Sequence, residues 1–474
     1  MPGIRPTFDV LLQLRDFDPA GKVFMLAVLP NPGGPLGSVP AFNVPALSED
    51  DHFLLEDLER KNLAVDDAIK LGKALTARLL PDGPVRSIYQ QALTLAGQDG
   101  GVRLRLIIQS PDLAQIPWEL VYDPNHLGED KAAYFLALNP QISIARFEER
   151  LSPPPALALK DPTKLTIRPV TSNARVSGQR PLKLEQERKV IEESLANFAV
   201  DGVEIEIKPF IEQASWNDLT QALAGKVDLF HFAGHGVLDI RSRDPQTGAP
   251  REAVGQIVLQ TSAAEPTPHL VPARDLANLL AAAGARLAVL GACNSGRRDK
   301  ISPWNAVAPA LLEAGLAAVI AMQYLVQDDA AVAFSKSFYT SLAAGLTIDE
   351  AVSSGRRAMT KVPSPSPLTD LEWVVPVLYL NSADGVLFPE LAERESPTAA
   401  AIRIENKMVI DLIAKGSSVI GVEADLKEAS GQVDISSDIQ AKEVSGNLTG
   451  VKLGFGRHPK PSPPSEEPES GEGK

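Results

Sequence analysis

Val227-Asp-Leu-Phe-His-Phe-Ala-Gly-His-Gly236 and Leu287-Ala-Val-Leu-Gly-Ala-Cys-Asn-Ser-Gly296 are two apolar runs that each end in small, turn-forming residues. Short apolar runs with such ends are typical of strands buried on both faces of a parallel sheet. The first run ends at His235 and the second at Cys293, the only cysteine of the chain. Because parallel sheets place their sites beyond the carboxyl ends of strands, the two runs predict a Cys/His pair at one edge of a sheet.

Strand and helix patterns alternate around these two runs, over residues 165–388. The sequence predicts strands at 165–170, 203–208, 227–232, 287–290 and 318–322, and helices at 184–198, 216–222, 273–283, 306–314, 329–342 and 348–360. Strands separated by helices favour an α/β fold with a parallel sheet and right-handed crossovers. Two polar segments, 239–252 and 296–304, are predicted to be loops that flank the Cys/His pair.

The rest of the chain divides into further regions. Residues 6–150 form a predicted N-terminal α/β unit, and residues 151–164, with three consecutive prolines, form a predicted linker. The elements expected in the first unit are strands at 8–15, 23–29 and 102–110 and a helical stretch at 54–80. Residues 399–456 nearly lack aromatic side chains and alternate in short runs between glycines, which indicates a small β-rich module. The proline-rich and acidic residues 457–474 are predicted to be disordered.

The composition is that of an ordinary globular protein, with 44% hydrophobic and 22% charged residues among 474. A formal net charge of −14 argues against binding to nucleic acid or to an anionic membrane, because both need a basic surface. One cysteine cannot form a disulfide within the chain, which favours a reducing compartment. The first residues carry no apolar signal core, and the uncharged apolar run 315–326 is too short to cross a bilayer. We therefore expect a cytoplasmic protein without membrane insertion.

The Cys/His pair suits nucleophilic attack on a carbonyl group. The thiolate of Cys293 is the nucleophile, and His235 can take the thiol proton and then protonate the leaving amine. The tetrahedral oxyanion needs fixed donors. The backbone N–H groups of Cys293 and Gly236 are candidates, because a glycine lets the backbone approach a substrate closely.

Several segments resemble the CHAT family of caspase-like cysteine peptidases. The segments that carry the resemblance are His231-Phe-Ala-Gly-His-Gly236, Gly291-Ala-Cys-Asn-Ser-Gly296 and residues 308–323, 116–120 and 373–376. The resemblance covers about residues 8–387. His235 precedes Cys293 by 58 residues (293 − 235), near the offset of about 50 residues in caspase-like enzymes, although the local Gln-Ala-Cys-X-Gly signature is only partly met.

The resemblance implies an α/β fold with a caspase-like parallel-sheet catalytic domain at 165–388. It also implies that residues 6–150 pack on this domain as an accessory, degenerate caspase-like half. The implied activity is endopeptidase cleavage of a protein substrate, with His235 as general base, Cys293 as nucleophile and Gly236 as an oxyanion donor. Neither a cofactor nor a metal is expected. Bacterial relatives often act in programmed cell death or antiphage defence under the control of a partner protein, so a similar role and an activating or effector partner are expected.

The sequence indicates less about substrate selection than about the Cys/His pair. Some members of the clan that cut after basic residues carry an acidic residue two positions before the nucleophile, where this chain has Gly291. Asp328 and Asp329 are candidates to line the pocket instead, although Asp329 is equally suited to be the N-cap of the next helix. Asp239 is a candidate to orient His235 or to contact substrate, with a turn residue at the start of a loop as the alternative.

Other side chains have structural interpretations beside functional ones. His231, four residues before His235, is predicted to lie in the core or to support the site, because a zinc site with both histidines lacks a neighbouring Glu and a third ligand. Trp118, Glu119 and Tyr122 are predicted to pack the first unit against the second, with a ligand site as the alternative.

Two other classes of function stay open. The chain is alternatively a catalytically inactive caspase-like scaffold. The other class, a nucleotide-binding Rossmann-like protein, is disfavoured because no Gly-X-Gly-X-X-Gly follows a predicted strand.

Overall fold

The computed structural model describes the chain in twelve ranges. These are residues 5–31, 34–125, 134–147, 164–174, 184–195, 203–243, 250–262, 267–291, 302–324, 326–362, 371–382 and 384–388. The described residues belong to one compact unit, Ile4–Arg394. Cys293, the predicted β-rich module at 399–456, the tail at 457–474 and nearly all of the predicted linker at 151–164 lie outside them.

The strands of the described residues form two sheets. Their ranges are β1 Thr7–Asp18, β2 Val23–Leu29, β3 Val39–Pro45, β4 Gly101–Ile108, β5 Ile142–Phe147, β6 Lys164–Ser172, β7 Glu204–Ile207, β8 Leu229–Gly234, β9 Gly236–Arg243, β10 Pro250–Gln260, β11 Pro268–Pro272, β12 Leu287–Gly291, β13 Ala318–Met322 and β14 Pro376–Leu380. The larger sheet has the order β3-β2-β1-β4-β5-β14-β13-β12-β8-β6-β7, and the smaller one has the order β11-β10-β9.

The larger sheet contains two sets of parallel strands that run in opposite directions and meet between β13 and β14. We call residues 5–147, with β1 to β5, the N-terminal half and residues 164–388 the C-terminal half. Strands β7, β6, β8, β12 and β13 are mutually parallel, and β14 is antiparallel to β13. Strand β5 pairs in parallel with β14, and β4 and β1 continue in that direction. The predicted α/β class with a large, mostly parallel sheet is therefore confirmed.

Helices cover both faces of this sheet. Their ranges are α1 Glu49–Glu59, α2 Val65–Leu79, α3 Pro84–Ala96, α4 Pro111–Ala114, α5 Leu184–Leu195, α6 Trp216–Ala222, α7 Ala273–Ala283, α8 Trp304–Glu313, α9 Asp328–Ala343 and α10 Ile348–Met359. Leu229 and Leu287 lie in the core layer that contains α9 and α10, while Phe230 and Ala288 lie in the layer that contains α7 and α8. This alternation explains why β8 and β12 are apolar at nearly every position.

Some elements differ from the sequence predictions. The predicted helical stretch 54–80 is two helices, α1 and α2, and the break contains Lys61 with a φ of 58°. The segment 239–252 is not a loop throughout, because β9 runs on to Arg243 and β10 begins at Pro250. In β9 the apolar Leu238 and Ile240 alternate with polar residues, which is the pattern of a strand with two unlike faces. The prediction of a loop was wrong because it rested only on the polarity of the segment.

Buried charges connect the two halves. Arg103 of β4 donates from Nε to Asp9 at 2.8 Å and from Nη1 to Asp349 of α10 at 3.3 Å. Asp349 also accepts a hydrogen bond from Ser143 Oγ of β5 at 2.6 Å, and Arg105 lies 3.1 Å from Asp9. All these side chains are buried. Removal of one partner therefore leaves a charge that water cannot reach.

We expect Asp349→Asn to lower the free energy of unfolding by about 3 kcal/mol, since two buried arginines then share one carboxylate. Urea unfolding measures the difference. Glu192→Gln, which breaks the exposed pair with Arg188, is the control, and its effect should stay below about 1 kcal/mol. Equal effects of the two substitutions would contradict a buried electrostatic junction between the halves.

Candidate active site

His235 lies between β8 and β9, where the chain leaves the larger sheet and enters the smaller one. Its side chain is fully buried. The backbone N–H of Val258, in β10, donates to the His235 carbonyl at 2.9 Å, and the next residue, Gly236, lies opposite Ile257. Strand β10 therefore holds the backbone of His235 in place.

The register of β8 and β12 brings the two predicted strand ends side by side. Leu290 pairs with Phe232, and Gly291, the last residue of β12, pairs with Ala233. His235 follows Ala233 by two residues, and Cys293 follows Gly291 by two residues. The spatial proximity of His235 and Cys293 stays a prediction, because Cys293 lies outside the described residues.

Gly236 lies against the beginning of α8. A Cβ atom at this position would be 2.7 Å from Cγ of Pro303 and 3.4 Å from the Trp304 ring. The indole of Trp304 makes an edge-to-face contact with Phe232, with ring centroids 6.4 Å apart. The absence of a side chain at Gly236 lets α8 approach the residue next to His235.

His231 points into the core from the middle of β8. Its Nδ1 lies 3.3 Å from the hydroxyl of Tyr339 in α9. Burial lowers the pKa of His231 to about 4, so the ring is neutral at physiological pH, and burial raises the pKa of Tyr339. This placement agrees with the predicted core or supporting role.

The three predicted acidic substrate contacts lie on two elements, β9 and α9. Asp239 is inside β9, opposite Val254, so its interpretation as a turn residue is wrong. Asp328 is the first residue of α9 and Asp329 is the exposed second residue. The N-cap of α9 is Gln327, so the interpretation of Asp329 as an N-cap is also wrong. Whether any of the three contacts substrate stays a prediction.

Trp118 and Glu119 are buried near the boundary of the two halves, as is Tyr122. The indole N–H of Trp118 donates to the Leu113 carbonyl at 2.9 Å, and Glu119 pairs with Arg146 of β5 at 3.1 Å. Tyr122 contacts Phe135, which in turn contacts Trp373 of the C-terminal half. The predicted packing role fits these contacts.

A polar cluster at the beginning of α8 was not predicted from the sequence. We call it the junction cluster, and its members are Glu119, Arg146, Asn305, Gln323 and Tyr379. Asn305 Oδ1 accepts from the Tyr379 hydroxyl at 2.7 Å, and the Arg146 guanidinium lies over the Tyr379 ring, 5.7 Å from its centroid. The cluster joins β5, α8 and β14 with Glu119 and with Gln323, the residue that follows β13. The available signal in the sequence was a polar residue, Asn305, in a helix that is otherwise apolar up to its last residue, Glu313.

Metal and membrane sites are not found in the described part of the chain. No group of three or more His, Cys, Asp or Glu side chains there could hold a metal ion. Every helix in those ranges is too short or too polar to span a bilayer.

The model of the CHAT domain family matches residues 70–399, which is more than half of the 474-residue chain. The chain belongs to the CHAT domain family, as the motifs around His235 and Cys293 predicted. Among curated proteins, none matches the sequence.

The chain also has distant similarity to several solved structures. The separase of a Saccharomyces cerevisiae separase–securin complex has 10% identity and a TM-score of 0.39, with 78% of this chain and 30% of that chain covered. The Arg-specific cysteine proteinase gingipain R has 12% identity and a TM-score of 0.35, with 72% and 75% covered. A complex of Porphyromonas gingivalis RgpB pro- and mature domains has 11% identity and a TM-score of 0.31, with 70% and 71% covered. The chain thus spans less than a third of the separase chain.

We expect Gly236→Ala to lower the free energy of unfolding by about 1–3 kcal/mol, because the new methyl group overlaps a proline ring that cannot rotate away. Thermal unfolding followed by calorimetry measures the loss. Gly225→Ala is the matched control, since a Cβ there meets no atom within 4 Å. The same melting temperature in both variants would refute the close packing of α8 on Gly236.

His231 should make stability depend on pH. The ordinary pKa of 6.5 falls to about 4 in the folded protein, so the unfolded chain takes up the proton first. The stability from the neutral ring is present above about pH 6.5 and is lost as the pH falls toward 4. Between pH 7 and 4 we expect wild type to lose about 3 kcal/mol more than His231→Gln. Urea unfolding at a series of pH values gives this difference, and parallel pH profiles would disprove it.

Proposed function

We propose that this CHAT protein is a cysteine endopeptidase with a His235/Cys293 dyad. His235 takes the proton from the Cys293 thiol, and the thiolate attacks the carbonyl carbon of the scissile peptide bond. The backbone N–H groups of Gly236 and Cys293 donate to the oxyanion. His235 then gives its proton to the leaving amine, and water hydrolyses the thioester with His235 as base.

The register between β8 and β12 carries this proposal. Gly291 and Ala233 are adjacent partners, and each is followed two residues later by one member of the dyad. Two residues of extended chain reach at most about 7 Å. The covalent chain therefore keeps both side chains near the same strand ends, which is the arrangement that a proton transfer from Cys293 to His235 requires.

The pairing of β9 with β10 supports Gly236 as an oxyanion donor. The hydrogen bond from Val258 N–H to the His235 carbonyl makes His235 and Val258 a hydrogen-bonded pair. The next pair, Gly236 and Ile257, is then a non-hydrogen-bonded pair, in which the backbone N–H groups point away from the partner strand. The Gly236 N–H is thus directed away from β10, as a donor to a bound carbonyl must be.

The wider role is part of the same proposal. Asp239, Asp328 and Asp329 are the candidate substrate contacts, and the substrate is a protein. We place the enzyme in the cytoplasm, as a regulated protease of a bacterial cell-death or antiphage defence system, under the control of an activating or effector protein. The support for this role is membership of the CHAT domain family and the resemblance of the motifs.

A catalytically inactive caspase-like scaffold is the second candidate function. The observation that favours it is the complete burial of the His235 side chain, since a general base has to reach the atom from which it takes a proton. A scaffold would keep the fold without an activated thiolate.

Peptide cleavage distinguishes the two functions. We expect wild type to cleave a proteome-derived peptide library, and Cys293→Ala and His235→Ala to lose that cleavage, since the dyad acts as a unit. His269→Ala is the control, because His269 is an exposed histidine of β11, and it should cleave like wild type. Cleavage that survives Cys293→Ala would exclude the dyad. If wild type shows neither peptide cleavage nor accelerated alkylation of Cys293, the scaffold is favoured.

A further inference from the structure

Strand β9 begins next to His235 and forms one edge of the smaller sheet. Its regular pairing with β10 extends from Gly236, opposite Ile257, to Ile240, opposite Ala253, and the register shifts only beyond that pair. Among the described strands, β10 is the only one that pairs with β9. The other side of β9 is therefore a strand edge that begins beside the proposed general base.

The type of pairing decides which backbone groups lie on this outer edge. His235 and Val258 form a hydrogen-bonded pair, and in an antiparallel ladder such pairs alternate with non-hydrogen-bonded ones. The backbone N–H and C=O groups of Gly236, Leu238 and Ile240 therefore point away from β10. These outward groups recur every two residues, about 7 Å apart, which is also the repeat of an extended peptide.

The opposite edge of the same sheet, at β11, has a different composition. Thr261 N–H donates to the Thr267 carbonyl at 3.0 Å, so the same alternation makes Pro268, Leu270 and Pro272 the outward residues of β11. Two of these three residues have no N–H group. Proline on a sheet edge prevents another strand from pairing there. The smaller sheet thus has a blocked edge at β11 and, at β9, an edge with an N–H group at every outward position.

The outer edge of β9 has a rigid support. Gly236 lies against Pro303. Gly255, which pairs with Leu238, lies so close to α8 that a Cβ atom there would be 2.7 Å from the backbone nitrogen of Val307. Helix α8 therefore packs closely on this part of the smaller sheet. A strand that is already extended and held in place loses little conformational entropy when a peptide pairs with it.

We propose that the outer edge of β9 binds an extended segment of the protein substrate as an additional β-strand, through backbone hydrogen bonds with Leu238 and Ile240. This inference rests on the proposed endopeptidase, in which Gly236 N–H holds the carbonyl of the scissile bond. Leu238 and Ile240 then pair with the substrate backbone two and four residues further along. Because strand addition recognises the backbone, the substrate class is an unfolded or extended stretch of polypeptide.

Proline substitutions at outward positions test the proposal in the full-length protein. Leu238→Pro removes an outward N–H group and places a ring on the edge, while the hydrogen bonds between β9 and β10 stay intact. The residue before a proline favours the extended conformation that Val237 already has in β9. Leu270→Pro is the matched control, because it makes the same change on the outer edge of β11. The probe is the peptide that wild type cleaves fastest in the proteome-derived library.

We expect Leu238→Pro to lower kcat/KM for this peptide about tenfold, mainly through a higher KM, since a hydrogen bond to the bound substrate is lost. Ile240→Pro should change kcat/KM in the same direction, and Leu270→Pro should cleave like wild type. With wild-type protein, N-methylation of one peptide amide at a time should slow cleavage at every second residue on one side of the scissile bond, because alternate N–H groups face β9.

Wild-type kcat/KM in both β9 variants would overturn the inference and leave the endopeptidase intact, and so would an equal loss in Leu270→Pro. If neither β9 variant folds, the N-methylated peptides decide, and cleavage rates without a two-residue alternation would overturn the inference. No cleavage by wild type would overturn the proposed endopeptidase, and the inference with it.

Discussion

The parallel pairing of β8 with β12 is the constraint on which the candidate site depends. A shift of this register by one residue would turn every side chain of β8 to the opposite face of the sheet. Phe230 and Phe232 would then enter the layer of α9 and α10, and His231 would enter the layer of α7 and α8. Because both layers are close-packed, the register has one solution. The strand ends that precede His235 and Cys293 lie next to each other for this reason.

The sequence predicted the part of the fold that is buried on both faces. Strands β8, β12 and β13 are continuous apolar runs, and their positions were predicted within one or two residues. Strand β9 was missed because its polar positions made it resemble a loop. Strand β14 was missed although it begins at the last residue of Trp373-Val-Val-Pro376, because nothing local indicates that a strand pairs with β13 on one side and β5 on the other.

The sequence likewise predicted only some of the residues at the candidate site. His235, Gly236 and Cys293 were predicted as site residues from local sequence patterns, and the structure places the first two at the predicted sheet edge. The junction cluster around Asn305 was not predicted, because its partners Ala114 and Tyr379 are distant in sequence and contact it only through the tertiary fold. Local sequence patterns thus indicated candidate reactive groups, whereas contacts between remote segments leave no local pattern to detect.

The pairing of β5 with β14 has a consequence for the order of events during synthesis. Strand β5 ends at Phe147 and its partner begins at Pro376, so an emerging chain carries an open sheet edge at β5 until almost the whole C-terminal half has left the ribosome. Tyr379, which completes the hydrogen bonds of Asn305, arrives at that same late point. A truncated nascent chain therefore contains both His235 and Cys293 before the strand that joins the two halves of the sheet has been synthesised. The fold thus delays closure of the larger sheet until translation is nearly finished.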